Sequence, residues 1–214
     1  KEVIQCEYKD LGEVCTKLIV SELKRRQRTV FNFSKKALPR LRVAIGGDPA
    51  SGKTTVSSLV QESLKEQGVE SVVISVDNYY YLTPKVNWEF RKRTKGWLGP
   101  IEINLSLLEQ HLKASANGLT AIKVPVILFE EESVFDTVLN LKGKDVVLVE
   151  GTHSVALENV DLRLQIEKPF PENLENYKKR GREPFDGDGL EFLRKESEIL
   201  QMLKARADYV LKPS

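Results

Sequence analysis

The sequence predicts an α/β fold built around a parallel β-sheet, and three observations carry that expectation. Residues Gly47-Asp48-Pro49-Ala50-Ser51-Gly52-Lys53-Thr54 match G-x-x-x-x-G-K-[ST], a loop whose backbone N–H groups wrap phosphates between a strand and a helix. Five short segments have the apolar, β-rich character of strands buried in a parallel sheet. Helical stretches separate several of them, as βαβ units require.

Taken in order, Tyr8 to Arg28 reads as a helix, with Leu11, Cys15, Leu18, Ile19 and Leu23 at helical spacing. Lys24-Arg25-Arg26-Gln27-Arg28 at its end complements the helix dipole. That cluster is either a solvated helix end or a contact for an anion or partner. Residues 1–40 are thus expected as a separable helical extension ahead of a domain over 41–214. Leu41–Ile45 is the strand that runs into the loop. Thr55–Gln67 is the helix that runs out of it, with Val56, Leu59, Val60 and Leu64 on one face and Gly68 closing it. Ser71–Val76 is the next strand. An insertion over about 78–144 follows: an aromatic and basic segment from Tyr79 to Trp97, a helix near Ile103–Ser115, and a β-hairpin with arms near Ala121–Phe129 and Ser133–Leu139. It lies beside the carboxyl ends of the strands, where ligands bind in open α/β sheets. Asp145–Val149, Leu162–Ile166 and Asp208–Leu211 complete the five strands.

Composition narrows the class. In 214 residues, 33 Lys and Arg balance 31 Asp and Glu for a formal charge of +2, which argues against a general nucleic-acid or membrane-surface binder. No apolar run approaches a membrane span, and the opening Lys1-Glu2-Val3-Ile4 is unlike a secretory signal. Cys6 and Cys15 make neither a metal spacing nor a disulfide framework, so a reduced, cytoplasmic setting is expected. Oligomeric state leaves no signal.

The chemistry of the loop assigns roles by residue type. Its backbone over Gly47 to Thr55 would cradle the phosphates of a nucleotide, Lys53 would bring a point charge to the β/γ-phosphates, and the Thr54 hydroxyl would face Mg²⁺. Three further features point to phosphoryl transfer to a small molecule. Ser75-Val76-Asp77 delivers a carboxylate at a strand's carboxyl end. It could take the proton of an attacking hydroxyl, hold Mg²⁺ through water, or simply cap a turn. Val146-Val147-Leu148-Val149-Glu150 is an apolar strand ending in an acid, the place for a metal-orienting carboxylate. Tyr177-Lys178-Lys179-Arg180-Gly181-Arg182 sets positive charge around a glycine pivot, suited to closing over phosphates.

In this order the residues resemble the uridine kinase/phosphoribulokinase/pantothenate kinase family of phosphate-loop kinases. The family's Asp-x-Phe/Tyr-Tyr segment is matched by Asp77-Asn78-Tyr79-Tyr80, its Glu-Gly pair by Glu150-Gly151, and its Asp-Leu-Lys-Ile strand by Asp161-Leu162-Arg163-Leu164. Its Arg-Gly-Arg lid is matched by Arg180-Gly181-Arg182 and its Ala-Asp strand by Ala207-Asp208. The resemblance, covering Leu41 to Lys212, implies a P-loop NTPase three-layer sandwich around a parallel five-stranded sheet, with a lid over about 168–188. It implies ATP and Mg²⁺ as cofactors, Asp77 as catalytic base, Glu150 as a magnesium-directing carboxylate, and Arg180 and Arg182 as lid residues on ATP.

The substrate side departs from the family pattern. Gly99 stands at the family's histidine and Asn104 at an aspartate. Pro125-Val126-Ile127 replaces Pro-Val-Tyr, and no arginine follows Glu130-Glu131-Glu132-Ser133. A site without those hydrogen-bonding groups discriminates poorly for a nucleoside, so uridine and cytidine are expected to be poor acceptors and a smaller or more anionic hydroxyl compound the preferred one. Candidate acceptor contacts are Tyr79, Tyr80, Tyr81, Arg91, Arg93, Trp97, Glu102 and His153. Trp97 could instead anchor the insertion, Arg91-Lys92-Arg93 could be a solvated run rather than an anion site, and His153 could be a packing residue. The expected function is ATP-dependent phosphorylation of a small-molecule hydroxyl, uridine kinase-like. The alternatives are a kinase of a sugar, polyol, sugar phosphate or pantothenate-like acid, or a nucleotide-dependent ATPase or switch.

Overall fold

A computed structural model describes residues 1–31, 38–168, 170–181 and 184–214. Six strands form one parallel sheet in the order β1 (Glu2–Cys6), β8 (Tyr209–Pro213), β7 (Leu162–Ile166), β2 (Leu41–Gly47), β6 (Val146–Glu150), β3 (Ser71–Ser75). All five expected strands are present. The sixth is β1, which pairs in parallel register with β8, from Glu2 opposite Tyr209 to Cys6 opposite Pro213. The expectation of a separable helical extension over 1–40 is corrected by this pairing and by α1 (Leu11–Phe31), whose Leu11, Cys15 and Ile19 are wholly buried in the main core.

Period-two alternation in the strands divides the core between two faces. Leu41, Val43 and Ile45 of β2, with Val146 and Leu148 of β6, face α1 and Val56, Val60 and Leu64 of α2 (Lys53–Glu66). Ala44, Val147 and Val149 face the opposite way, onto Leu108 and Leu112 of α4 (Leu105–Ala116) and Ile122 and Val124 of β4 (Ala121–Leu128). The result is helices on both faces of a sheet buried on both sides. Each aliphatic side chain so buried is worth about 1.5–3 kcal/mol.

The insertion holds one element that the spacing does not announce, α3 (Pro84–Arg93), which starts with proline in its first turn behind Thr83. Asn104, at the family's aspartate position, caps α4 by accepting the Leu107 N–H at 3.0 Å. β4 and β5 (Ser133–Asn140) form the expected hairpin, in register from Ala121 opposite Asn140 to Leu128 opposite Ser133. After β7 come α5 (Phe170–Arg180) and α6 (Gly187–Leu203), the latter capped by Asp186 accepting the Gly189 N–H at 2.9 Å. Among the described residues no helix is long and apolar enough to cross a membrane.

Candidate active site

The loop between β2 and α2 turns on two left-handed residues, Ala50 at φ 59° and Gly52 at φ 90°. Gly52 is the residue ahead of α2's first turn, so Lys53, Thr54 and Thr55 present free amides at a helix N-terminus, where anions bind. Lys53 is buried and donates its ammonium to the Asp48 carbonyl at 2.8 Å. Burial pushes its pKa down, while Asp77 and Glu150 pull the other way. Thr54 donates its hydroxyl to Glu150 Oε2 at 3.2 Å. Burial and the neighbouring Asp77 carboxylate push Glu150 up, against bonds from Ser75 and Thr54 and the charge of Lys53.

This donor set fits nucleotide phosphates with Mg²⁺. The loop backbone is a cradle whose tightest bend admits no side chain, since a Cβ at Gly52 would fall 1.7 Å from the Tyr8 hydroxyl. Thr54 and Glu150 offer hard oxygen ligands. No cluster of three or more His, Cys, Asp or Glu able to hold a metal is found among the described residues. That suits a cation held by one or two protein oxygens together with phosphates and water.

Asp77 and Asn78 sit in a single helical turn, Val76–Tyr79, directly after β3. Asp77 opens into a cleft whose walls include Pro49 of the loop, Tyr80, Asn87, Arg91, Ile127 and Arg180. Arg180, in the last turn of α5, places a guanidinium nitrogen 3.6 Å from Asp77 Oδ2. Lys53, Thr54, Asp77, Glu150 and Arg180, scattered over the chain, are thereby brought to one end of the sheet. Arg182 lies outside the described residues.

The expected acceptor contacts divide. Tyr80 and Arg91 line the cleft. Tyr79 faces the core instead, 2% exposed, with its hydroxyl 2.8 Å from His111 Nδ1. Tyr81 and Arg93 are exposed, and Arg93 leans on Glu89 at 3.8 Å. Trp97 braces the insertion: its indole N–H donates to Asn87 Oδ1 at 2.7 Å and its ring meets Phe90 edge-on at 4.9 Å. Glu102 is fully buried behind the cleft wall. It accepts from Arg91 Nε at 2.6 Å, from Asn87 Nδ2 at 2.5 Å and from the Gly99 N–H at 2.6 Å. Glu102 and Trp97 therefore hold Arg91 and Asn87 rather than line the cleft. His153 is wholly buried, its Nε2 3.4 Å from Glu196 Oε1.

Glu196 itself escapes sequence reasoning. It lines the cleft from α6 although it belongs to that helix's buried stripe with Leu193 and Leu200. Burial pushes its pKa up, and His153, Arg91 and Lys53 together bring it below the usual carboxylate range. An acid at a position whose helical neighbours are core leucines was the available signal.

Comparison with known proteins identifies the family. Residues 42–167 match the model of the Phosphoribulokinase / Uridine kinase family. The chain is 33% identical over 121 residues to a uridine kinase of Clostridium novyi, a match covering 56% of this chain and 55% of that protein. The chain thus spans about half the length of the curated relatives it matches. Among solved structures it resembles a possible uridine kinase from Bacillus stearothermophilus, with a TM-score of 0.62 and 19% identity over 95% of this chain and 98% of that one. It likewise resembles a D-glycerate 3-kinase from Cryptococcus neoformans, with a TM-score of 0.63 and 16% identity over 89% and 87%. At those identities the two structures speak for the fold.

Proposed function

The chain belongs to the phosphoribulokinase/uridine kinase family, and from that premise we propose that it transfers the γ-phosphoryl group of ATP to a hydroxyl of a small molecule. The observation that carries this reading is Asp77, a carboxylate at the carboxyl end of β3, open to a cleft and flanked by the lid cation Arg180. An ATPase acting on water has no use for a walled cleft on the far side of that carboxylate.

Bound ATP with Mg²⁺ supplies the transferable phosphoryl group and part of the neutralisation of its charge. Lys53 and the amides at the start of α2 would hold the phosphates, Lys53 exchanging the Asp48 carbonyl for phosphate oxygens. Thr54 would ligate the cation and Glu150 would direct it. Asp77 takes the acceptor's hydroxyl proton as that oxygen bonds to phosphorus and the bridge to the ADP oxygen breaks. Arg180 stabilises the charge on the migrating group.

For the acceptor we favour a compact, neutral polyhydroxyl compound over a nucleoside. Arg91, the cation of the basic segment that lines the cleft, already has its charge matched by buried Glu102, which speaks against the more anionic acceptor that this segment suggests in the sequence. Glu196, Asn87 and Arg91 instead combine an acceptor with donors, a set that suits vicinal hydroxyls. Gly99 bends through φ 109°, a backbone conformation in which a histidine would be strained. Ile127 lays an apolar side chain on the cleft. Soluble, reducing cytoplasm goes with this reading, since Cys6 and Cys15 are both free. Steady-state assays of ATP turnover against a panel of nucleosides, sugars and polyols test it. A uridine kcat/KM above about 10⁴ M⁻¹s⁻¹, the low end of ordinary enzymes, refutes the acceptor reading. Turnover that needs no added alcohol refutes the transferase reading.

A further inference from the structure

We propose that Tyr8 and Lys168 form the seat for the base of the donor nucleotide, so that the segment ahead of the matched family region completes the donor site. This rests on the donor reading above. The phosphate loop follows β2 in the middle of the sheet, whereas Asp77 follows β3 at one edge. A nucleoside triphosphate is a linear chain. With its last phosphoryl group facing Asp77 and its phosphates on the loop amides, its other end leaves toward the half of the sheet that holds β7, β8 and β1.

Both residues stand in that half, at the carboxyl ends of parallel strands. Tyr8 comes two residues after β1 and Lys168 two residues after β7. They meet there: the Lys168 ammonium lies 5.1 Å from the centroid of the Tyr8 ring. Tyr8 also reaches the loop, because its hydroxyl occupies the place that a side chain on Gly52 would take. Tyr8 is nevertheless 38% exposed, and neither residue lines the acceptor cleft. An exposed aromatic fixed against a phosphate loop, with a cation beside it, offers a π-face and a positive charge to a flat heteroaromatic ring.

The test compares a nucleotide with a ligand that has phosphates and no base. Dissociation constants of a non-hydrolysable ATP analogue and of inorganic tripolyphosphate, each with Mg²⁺, are measured by calorimetry on the full chain and on Tyr8→Ala and Tyr8→Phe. Tyr8→Ala should weaken the ATP analogue about 5- to 100-fold, the range of one base–aromatic stack, and leave tripolyphosphate within about twofold. Tyr8→Phe, which keeps the π-face, should stay near wild type for both. Equal weakening of both ligands by Tyr8→Ala, or no weakening of the analogue, overturns the base seat while leaving the phosphate loop in place. A wild-type chain that binds neither ligand overturns the donor reading itself.

Discussion

Arg180 holds its guanidinium 3.6 Å from the carboxylate of Asp77, so the last turn of α5 and the turn after β3 are tied by opposite charges across the mouth of the cleft. Asp77 faces the acceptor and Arg180 the migrating phosphoryl group in the reading proposed above. Asp77→Asn keeps the shape but cannot take a proton. Its kcat should fall by about 10²–10⁴ with nucleotide affinity nearly intact. A variant that loses nucleotide binding and keeps kcat at saturation would make Asp77 a metal or structural residue.

Lys53→Ala removes the buried ammonium at the start of α2 and leaves the strand–loop–helix packing untouched. Losing one preorganised charge at the transferring phosphate should slow turnover by about 10²–10³, or 3–4 kcal/mol in the barrier. Rapid-quench or coupled assays at saturating ATP would measure it. Turnover within threefold of wild type would remove this loop from the chemistry.

Glu102 satisfies three donors at once, from Arg91, Asn87 and Gly99, with no solvent to replace it. Glu102→Ala strands a buried guanidinium and should destabilise the fold by about 3–5 kcal/mol. Glu102→Gln keeps two oxygen–nitrogen contacts and should cost less. Urea unfolding of the three proteins checks the order, and the milder variant should raise the acceptor KM because Arg91 keeps only a neutral partner in place of a carboxylate.

Asp48 carries a pH signature. Burial lifts its carboxyl from 3.8 to about 6, despite bonds and charges from Ser197 and Lys53 that favour ionisation. Between those values the folded state binds the proton more tightly than the unfolded chain. Stability from this group therefore falls as pH rises from about 4 to about 6, by on the order of 2–3 kcal/mol. Asp48→Asn removes the dependence and should raise the melting temperature at pH 7.5 but not at pH 4. An unchanged difference between the two proteins across that range would contradict the buried, reluctant carboxylate.

The phosphate loop, Asp77, Glu150 and the five strands other than β1 were legible because each is a local pattern: a glycine-bounded loop, or an acid closing an apolar run. β1 was not. It is an edge strand with Val3 and Ile4 as its apolar residues, and its partner is β8 at the far end of the chain. α3 was hidden because Val86, Trp88 and Phe90 alternate as they would in a strand, while proline and basic residues suggest a loop. Tyr79 and Tyr80 show what one dimension cannot hold: adjacent residues after a strand turn to opposite sides, one onto His111 in the core and the other into the cleft. The basic segment read as a candidate anion site for the same reason. The partner that matches Arg91 is Glu102, eleven positions on, and only the fold brings them together.

The pairing of β1 with β8 also sets an order in time. Its ladder joins residues about two hundred positions apart, so every other strand can be in place before it closes, and no local contact brings it forward. β1 has to wait for β8. The outer seam of the sheet is therefore the natural place for the native molecule to breathe, and amide exchange in Val3 to Cys6 should outpace exchange in β2 and β6. Because Tyr8 hangs from the end of that strand, whatever lodges against it would pull the seam shut, and the chain's slowest joint would become one that its own nucleotide tightens.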